Sequence, residues 1–270
     1  MDEKHNRNII RVISQFIKSE VKKSKSEGVV IGMSGGVDSS VAACLAVNAL
    51  GAEQVFGLIL PDSSVTPKND TMDAEKLATK LGIKYKIIQV GKAKDQILRY
   101  LPNNKLARAN FLVRLRMSIL YYYAALVNRL VLGTGNKSEL ILGYFTKYGD
   151  AAVDLMPIGD LYKSEVRELA EFMQISSKIT RKKSSARLWR GQTTEGEIGL
   201  AYEKIDFILK QLENLVRGRR NANHRTSDDI HTKVKINRNF ENSQKEVRRV
   251  LAIIEKSGHK HTPPPICRIG

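Results

Sequence analysis

Cysteine, proline and tryptophan are scarce in this 270-residue sequence, which has two cysteines, seven prolines and one tryptophan. Cys44 lies in an apolar helical pattern and Cys267 lies near the end, so a disulfide framework is excluded and we expect a reducing compartment. No apolar run has the length of a membrane span, and the residues after Met1 lack a signal-peptide pattern. These absences predict a cytoplasmic protein with no membrane partner.

Acidic residues are outnumbered, because 28 of them face 45 lysines and arginines and leave a formal net charge of +17. Such a charge favours a polyanionic partner such as a nucleic acid, or else a highly anionic small substrate. Basic residues concentrate at 178–190 and again from 217 onward, but aromatic residues that could stack on bases are not interleaved with them. Because basic runs are most often solvated surface, nucleic acid is the less favoured partner.

The spacing of apolar residues alternates between strand and helix periods. Short β-branched runs predict strands at 29–31, 55–60, 85–90 and 130–134. Helical spacing predicts helices at 6–25, 41–50, 72–81 and 104–128, with a polar loop at 61–69. The predicted apolar stripe of the last helix is Phe111, Leu115, Ile119, Tyr122 and Leu126. This alternation predicts an α/β fold, a doubly wound parallel sheet flanked by helices, with ligands at the carboxyl ends of the strands.

Residues 29–40 read V-V-I-G-M-S-G-G-V-D-S-S, which predicts a strand, a tight loop and the start of a helix. Gly35 and Gly36 let the main chain approach a bound group, while Ser34 and Ser39 add hydroxyl donors near a helix N-terminus. These features describe a cradle for phosphate. The segment lacks the lysine of a Walker loop and the glycine spacing of a dinucleotide fingerprint. A plain glycine-rich turn is the alternative.

The string S-G-G-V-D-S at 34–39 resembles the pyrophosphate loop of the N-type ATP pyrophosphatases, which split ATP into AMP and pyrophosphate. The resemblance implies an adenine nucleotide alpha hydrolase-like fold. It also implies that Asp38 helps to hold Mg²⁺, although the helix dipole alone would favour an acidic residue there. The ATP contacts that it implies in this loop are Gly32, Met33, Ser34, Gly35, Gly36, Val37, Asp38 and Ser39.

A second resemblance is carried by residues 132–166, which read L-G-T-G-N-K-S-E-L-I-L-G-Y-F-T-K-Y-G-D-A-A-V-D-L-M-P-I-G-D-L-Y-K-S-E-V. This stretch resembles the ammonia-dependent NAD synthetases, and the similarity extends from about residue 6 to the tail. It implies one domain, 1–270, and a homodimer with deamido-NAD at the subunit interface. It also implies ATP-dependent amidation of deamido-NAD by ammonia through an acyl-adenylate, giving NAD⁺, AMP and pyrophosphate.

The same resemblance assigns roles to single residues. Asp38 and Lys163 are the implied catalytic residues, and Glu139 joins Asp38 on Mg²⁺. Thr134, Lys163 and Ser185 are the implied ATP contacts outside the loop. The implied contacts of deamido-NAD are Arg114, Lys147, Asp154, His259 and Lys260.

One of these residues, Glu139, also has a purely structural interpretation, whereas the expected position of Lys163 favours a ligand. Asn136 and Glu139 have the spacing of a capping box, which stabilises a helix start without any ligand. Lys163 is expected in the first turn of a helix capped by Asp160, where a cation opposes the helix dipole at a cost of up to about 1 kcal/mol. A phosphate beside Lys163 would offset that cost.

Two further segments either depart from the family pattern or have a structural interpretation of their own. Residues 182–188 read K-K-S-S-A-R-L, with Ser184 where related sequences often have proline and with the bulky Arg187 after it. Thr194 and Glu197 have capping-box spacing, and this helix start could be their whole role.

Other readings of the loop remain open. A tRNA-modifying thiolase would suit the charge, but the chain has no cysteine pair for sulfur chemistry. A GMP-synthetase-like amidotransferase and a non-catalytic RNA-binding protein with a decayed loop are the further alternatives. Since neither cysteine has a catalytic context and no room is left for a glutaminase domain, we expect ammonia as the nitrogen source.

Overall fold

The computed structural model describes residues 2–217, 244–262 and 264–269. Most of the basic run that begins at Arg217 therefore lies outside the described residues. Among the described helices, none combines the length and the apolar character that a membrane crossing requires.

Parallel strands and helices follow each other along the chain as the alternation predicts. The strands are β1 (Val29–Gly32), β2 (Val55–Ile59), β3 (Lys84–Ile87) and β4 (Leu130–Leu132). The helices of the first half are α1 (Glu3–Lys23), α2 (Val37–Leu50), α3 (Lys68–Leu81), α4 (Gly91–Leu98) and α5 (Lys105–Leu126). Those that follow are α6 (Lys137–Leu142), α7 (Lys163–Phe172), α8 (Ser177–Thr180), α9 (Thr194–Ile198), α10 (Tyr202–Arg217) and α11 (Gln244–Ser257).

The sheet has the order β3-β2-β1-β4, and every pair in it is parallel. Val29 of β1 pairs with Val55 on one side and with Leu130 on the other, so β1 is a central strand. Successive residues of β1 point to opposite faces: Ile31 packs into one apolar cluster and Val30 into another. Both faces of the sheet are therefore covered, and the predicted doubly wound fold is confirmed.

Three apolar clusters form the core. The first cluster joins one face of the sheet to α1, α2, α3 and α7. The second joins the opposite face to α5. The third lies among α6, α9, α10 and α11. The carboxyl ends of β1 and β4, where the loops to α2 and α6 begin, are left as the place where a site can form.

Several predicted boundaries shift by a few residues. Helix α1 begins at Glu3 because the Asp2 side chain accepts a hydrogen bond from the backbone N–H of His5. Helix α3 begins at Lys68, four residues before the prediction, because Pro67 precedes it with a fixed φ of −60°. The polar residues at its start carry no apolar periodicity, and for this reason the sequence pattern assigned them to the loop.

The predicted stripe of α5 is wrong at Tyr122 and Leu126, although Leu115 and Ile119 of that stripe pack partly buried against the core. The buried residues of α5 are Ala109, Leu112, Val113, Met117, Leu120 and Ala124, whereas Tyr122 and Leu126 are 66% and 65% exposed. Helix α5 is apolar nearly all round, so its sequence offers two possible stripes. Spacing alone could not decide which of them faces the sheet.

The contact between α1 and the core gives a test of the fold. Ile17 is fully buried and Val12, on the same helix, is half exposed. We expect Ile17→Ala to lower the free energy of unfolding by about 2–5 kcal/mol, because a core cavity remains. Val12→Ala should change it by less than about 0.5 kcal/mol. Urea denaturation followed by circular dichroism measures both, and equal losses would contradict the assigned face of α1.

Candidate active site

A cavity of about 280 Å³ opens at the carboxyl ends of β1, β2 and β4. All eight residues at 32–39, here called the glycine loop, line it. Thr134, Glu139, Lys163 and Ser185 line it as well. The sequence-predicted ATP and metal residues therefore come together around one space.

The glycine loop is held by close backbone packing. Gly35 has a φ of +73°, and a Cβ atom there would lie 2.1 Å from the carbonyl oxygen of Asp70, so a side chain is excluded. Gly36 is the N-cap residue of α2. The hydroxyl groups of Ser34 and Ser39 lie 3.0 Å apart and bond to each other. The loop thus presents the N-terminus of α2 to the cavity, in the arrangement that binds phosphate.

A charged centre lies beside the glycine loop. The Lys163 ammonium, whose side chain is only 1% exposed, forms an ion pair and a hydrogen bond with the Asp38 carboxylate. Asn136 donates a second hydrogen bond to Asp38 over 3.1 Å. The loops that follow β1 and β4 and the start of α7 therefore converge on one carboxylate.

Glu139 completes this centre from α6. The predicted capping box is confirmed, because Asn136 accepts from the Glu139 N–H over 3.0 Å and the Glu139 carboxylate accepts from the Asn136 N–H over 3.3 Å. Loss of hydration and then the nearby Asp38 carboxylate raise the pKa of Glu139 to about 8.

The donor set suits a magnesium ion. The Asp38 carboxylate raises the pKa of Glu139, and a divalent cation between the two side chains would relieve their repulsion. Carboxylate oxygens are the ligands that Mg²⁺ prefers. Among the described residues, no group of three or more His, Cys, Asp or Glu side chains is arranged so that it could hold a metal ion. Asp38 and Glu139 would thus leave further positions to phosphate oxygens and water.

Lys163 is fixed by a residue that the sequence patterns did not indicate. The Ser138 hydroxyl accepts from the backbone N–H of Lys163 over 2.9 Å and donates to Asp206 over 2.5 Å. Asp206 also accepts from the Ser164 N–H over 2.8 Å. A buried carboxylate 42 positions along the chain thus satisfies the start of α7, and no local spacing signals such a contact.

The expected cap by Asp160 is wrong. Tyr162 is the N-cap residue of α7, and its N–H donates to the Glu165 side chain over 2.9 Å. Asp160 is exposed and pairs with Lys137 over 3.0 Å. The chain approaching α7 is fixed through Asp206 and Glu165, which removes the need for an acidic cap.

The residues predicted to bind the dinucleotide lie outside the cavity. Arg114 donates to the Lys147 carbonyl over 3.2 Å, and Lys147 donates to the His259 carbonyl over 2.6 Å. Lys260 donates to the carbonyl groups of Gly143 and Phe145 over 2.8 and 2.7 Å. These four predicted residues form one connected rim beside the cavity wall.

Asp154, the fifth predicted contact, lies apart from this rim. Its carboxylate accepts from the Tyr121 hydroxyl over 3.1 Å and from the Val131 N–H over 2.7 Å. Arg116, two positions from Arg114, lines the cavity itself and donates to the Leu60 carbonyl over 3.1 Å. Of the two arginines, Arg116 is therefore the one that reaches the cavity of its own chain.

The segment at 181–193, here called the basic loop, covers one side of the cavity. Ser185 lines the cavity and accepts from the Arg187 N–H over 3.1 Å. The capping box expected for Thr194 and Glu197 is wrong, because Thr193 is the N-cap of α9 and accepts from the Gly196 N–H. Glu197 instead accepts a hydrogen bond from Tyr144, which lines the cavity.

Comparisons with known proteins agree with this geometry. The family model described as NAD synthase matches residues 9–264. A relative from Archaeoglobus fulgidus, an NH(3)-dependent NAD(+) synthetase, is 45% identical over 97% of this chain and 96% of its own. The NMN synthetase of Francisella tularensis superposes with a TM-score of 0.82 at 32% identity, covering 98% and 99% of the two chains. The NH3-dependent NAD synthetase of Campylobacter jejuni gives 0.77 at 33% identity, covering 99% and 100%.

The raised pKa of Glu139 predicts a pH-dependent stability of the ligand-free protein. Between pH 4.5 and about 8 the folded state keeps a proton that the unfolded state releases, so stability falls as pH rises through this range. We expect Glu139→Gln, which preserves the capping box, to remove up to about 1.4 kcal/mol of this loss per pH unit. Urea denaturation across the range measures it. The exposed Glu171→Gln is the control, and equal slopes for Glu139→Gln and wild type would contradict the assigned pKa.

Proposed function

The chain belongs to the NAD synthase family, and we propose that it forms NAD⁺ from deamido-NAD and ammonia at the expense of ATP. The observation that carries this proposal is the phosphate cradle of the glycine loop beside the Lys163–Asp38 pair and Glu139. Formation of an amide from a carboxylate needs activation, because oxide would otherwise be the leaving group. ATP supplies that activation when the carboxylate becomes an acyl-adenylate.

The chain's own residues have distinct tasks in the first step. The backbone N–H groups of the glycine loop hold the β- and γ-phosphates, and Lys163 neutralises negative charge that develops as pyrophosphate leaves. Asp38 and Glu139 would hold Mg²⁺, which supplies further neutralisation of the phosphates. The nicotinate carboxylate oxygen forms a bond to the α-phosphorus while the bond from that phosphorus to pyrophosphate breaks.

Ammonia completes the reaction. Its nitrogen attacks the acyl carbonyl carbon, AMP departs with the electrons of the acyl–oxygen bond, and the nitrogen loses a proton to give the amide. The two free cysteines, Cys44 and Cys267, suit the reducing cytoplasm proposed for the chain, and Cys44 is buried away from the site. Ammonia is the proposed nitrogen source because the relatives from Archaeoglobus fulgidus and Campylobacter jejuni, matched over 96% and 100% of their own chains, are described as NH3-dependent.

A mononucleotide is the second candidate substrate. The structural relative with the TM-score of 0.82 is described as an NMN synthetase, and it resembles this chain as closely in sequence as the NAD synthetase does. The two reactions form the same amide on the same ring. They differ in the size of the substrate: the dinucleotide carries an additional AMP group on the phosphate of the mononucleotide, and the site must hold that group as well.

We expect purified protein with Mg-ATP, deamido-NAD and ¹⁵N-ammonium to yield ¹⁵N-labelled NAD⁺, AMP and pyrophosphate in equal amounts by mass spectrometry. Asp38→Asn should lower the rate at saturating Mg²⁺ about 100-fold or more, whereas the exposed Asp95→Asn should not. A higher kcat/KM with the mononucleotide would favour the second candidate. ATP cleavage that requires tRNA or xanthosine monophosphate would overturn both.

We further propose that a second copy of the chain covers the outer face of α5. Tyr122 and Leu126, one helical turn apart, are each more than 60% exposed there, which is unusual for large apolar residues. Arg114 belongs to the same helix, and Tyr121 contacts Asp154, so this face borders the predicted dinucleotide residues. A dimer formed through α5 would bring the predicted dinucleotide-binding residues of the two copies close to each other.

Light scattering tests this arrangement. We expect a dimer at micromolar concentration for the wild type, and a monomer for the double variant Tyr122→Glu and Leu126→Glu, because two buried carboxylates would be left without partners. Val12→Glu, at an exposed apolar position of α1, should remain dimeric. A monomeric wild-type protein would contradict the proposal.

A further inference from the structure

Two cations of the basic loop converge on one buried carboxylate. Lys182 donates to Asp70 over 2.9 Å and pairs with Asp73 over 2.6 Å. Arg187 donates to the other oxygen of Asp70 over 2.8 Å. The Asp70 side chain is only 8% exposed, so this cluster is a specific arrangement of buried charge and differs from a solvated basic run.

The same cluster touches the glycine loop. Besides its contacts with Asp70 and Asp73, Lys182 donates a hydrogen bond over 2.9 Å to the carbonyl oxygen of Gly35. Lys182, Arg187 and Asp70 all line the cavity. The glycine loop itself contains no lysine or arginine, and Lys163 approaches it at Asp38. Lys182 is therefore a second cation in direct contact with this loop, and it contacts the loop at Gly35.

The backbone of Arg187 indicates that its side chain matters. Its φ of +51° lies in the left-handed region that glycine adopts without strain and that an arginine adopts at a cost. Three positions earlier, the Ser184 hydroxyl is buried, lines the cavity and has no hydrogen-bond partner among the described residues. A buried donor without a partner indicates room for a ligand or water.

We propose that Lys182 and Arg187 bind the pyrophosphate portion of ATP, and that Asp70 holds both cations until phosphate enters the cavity. This inference rests on the proposed function. Phosphate oxygens would replace the Asp70 and Asp73 oxygens as acceptors, with Arg187 offering the planar fork that suits a phosphate. The basic loop would then supply the positive charge that the lysine-free glycine loop lacks, and Asp70 acts as a positioning residue.

Binding of pyrophosphate tests the inference directly. By isothermal titration with Mg-pyrophosphate, we expect Lys182→Met and Arg187→Gly each to weaken binding about tenfold or more, as loss of a charge-assisted hydrogen bond does. Lys182→Arg should retain most of the affinity. Lys178→Met, four positions earlier and exposed, is the control that should bind as wild type.

Steady-state kinetics separate this role from a structural one. We expect the KM for ATP to rise in Lys182→Met while the KM for deamido-NAD stays unchanged. A rise of both together, or unaltered pyrophosphate affinity in both variants, would overturn the inference. Trp189, the chain's single tryptophan, lies in the basic loop with the Lys105 ammonium 4.2 Å above its ring, so its emission reports whether that loop is intact.

Failure of the two proposals can be told apart. If wild type forms labelled NAD⁺ but Lys182→Met and Arg187→Gly bind pyrophosphate normally, only the role of the basic loop is wrong. If wild type forms neither labelled dinucleotide nor labelled mononucleotide, yet binds pyrophosphate in a manner that depends on Lys182, the proposed reaction is wrong and the cation site stands.

Discussion

The ion pair between Lys163 and Asp38 joins parts of the chain that lie 125 positions apart. Placing an ammonium group almost wholly out of water costs several kcal/mol unless a partner compensates, and here Asp38 compensates with help from the amide of Asn136. The arrangement requires β1 and β4 to lie side by side and the first residue of α7 to lie next to the carboxyl ends of these strands. The ion pair at the site therefore forms only when the fold is correct, and its electrostatic requirement constrains both.

That constraint explains why so many helix starts meet at the cavity. Helices α2, α6 and α7 all begin there, and each brings backbone N–H groups without intrahelical partners. Ser138, Asp206 and the capping box of Glu139 satisfy those of α6 and α7, while the glycine loop before α2 remains open to the cavity. An anion therefore finds donors mainly at α2.

The sequence predicted those parts of the fold and site that local pattern encodes. β-branched runs located β1, and the spacing of Asn136 and Glu139 located the start of α6. Contacts such as Asp206 with Ser138, or Asp70 with Lys182, join residues far apart and leave no periodic trace. The inward face of α5 was missed because apolar residues surround that helix, so only its neighbours decide which side is buried.

The order of the sheet bears on how the protein is made. β1 meets β2 within about thirty residues, but its other edge is completed only by β4, a hundred positions later. In a chain that folds during synthesis, the central strand therefore keeps one unpaired edge until the middle of the polypeptide has emerged. Parallel pairing over such separations folds slowly and exposes strand edges to other chains. The glycine loop, which follows β1 directly, is thus encoded early and assembled late.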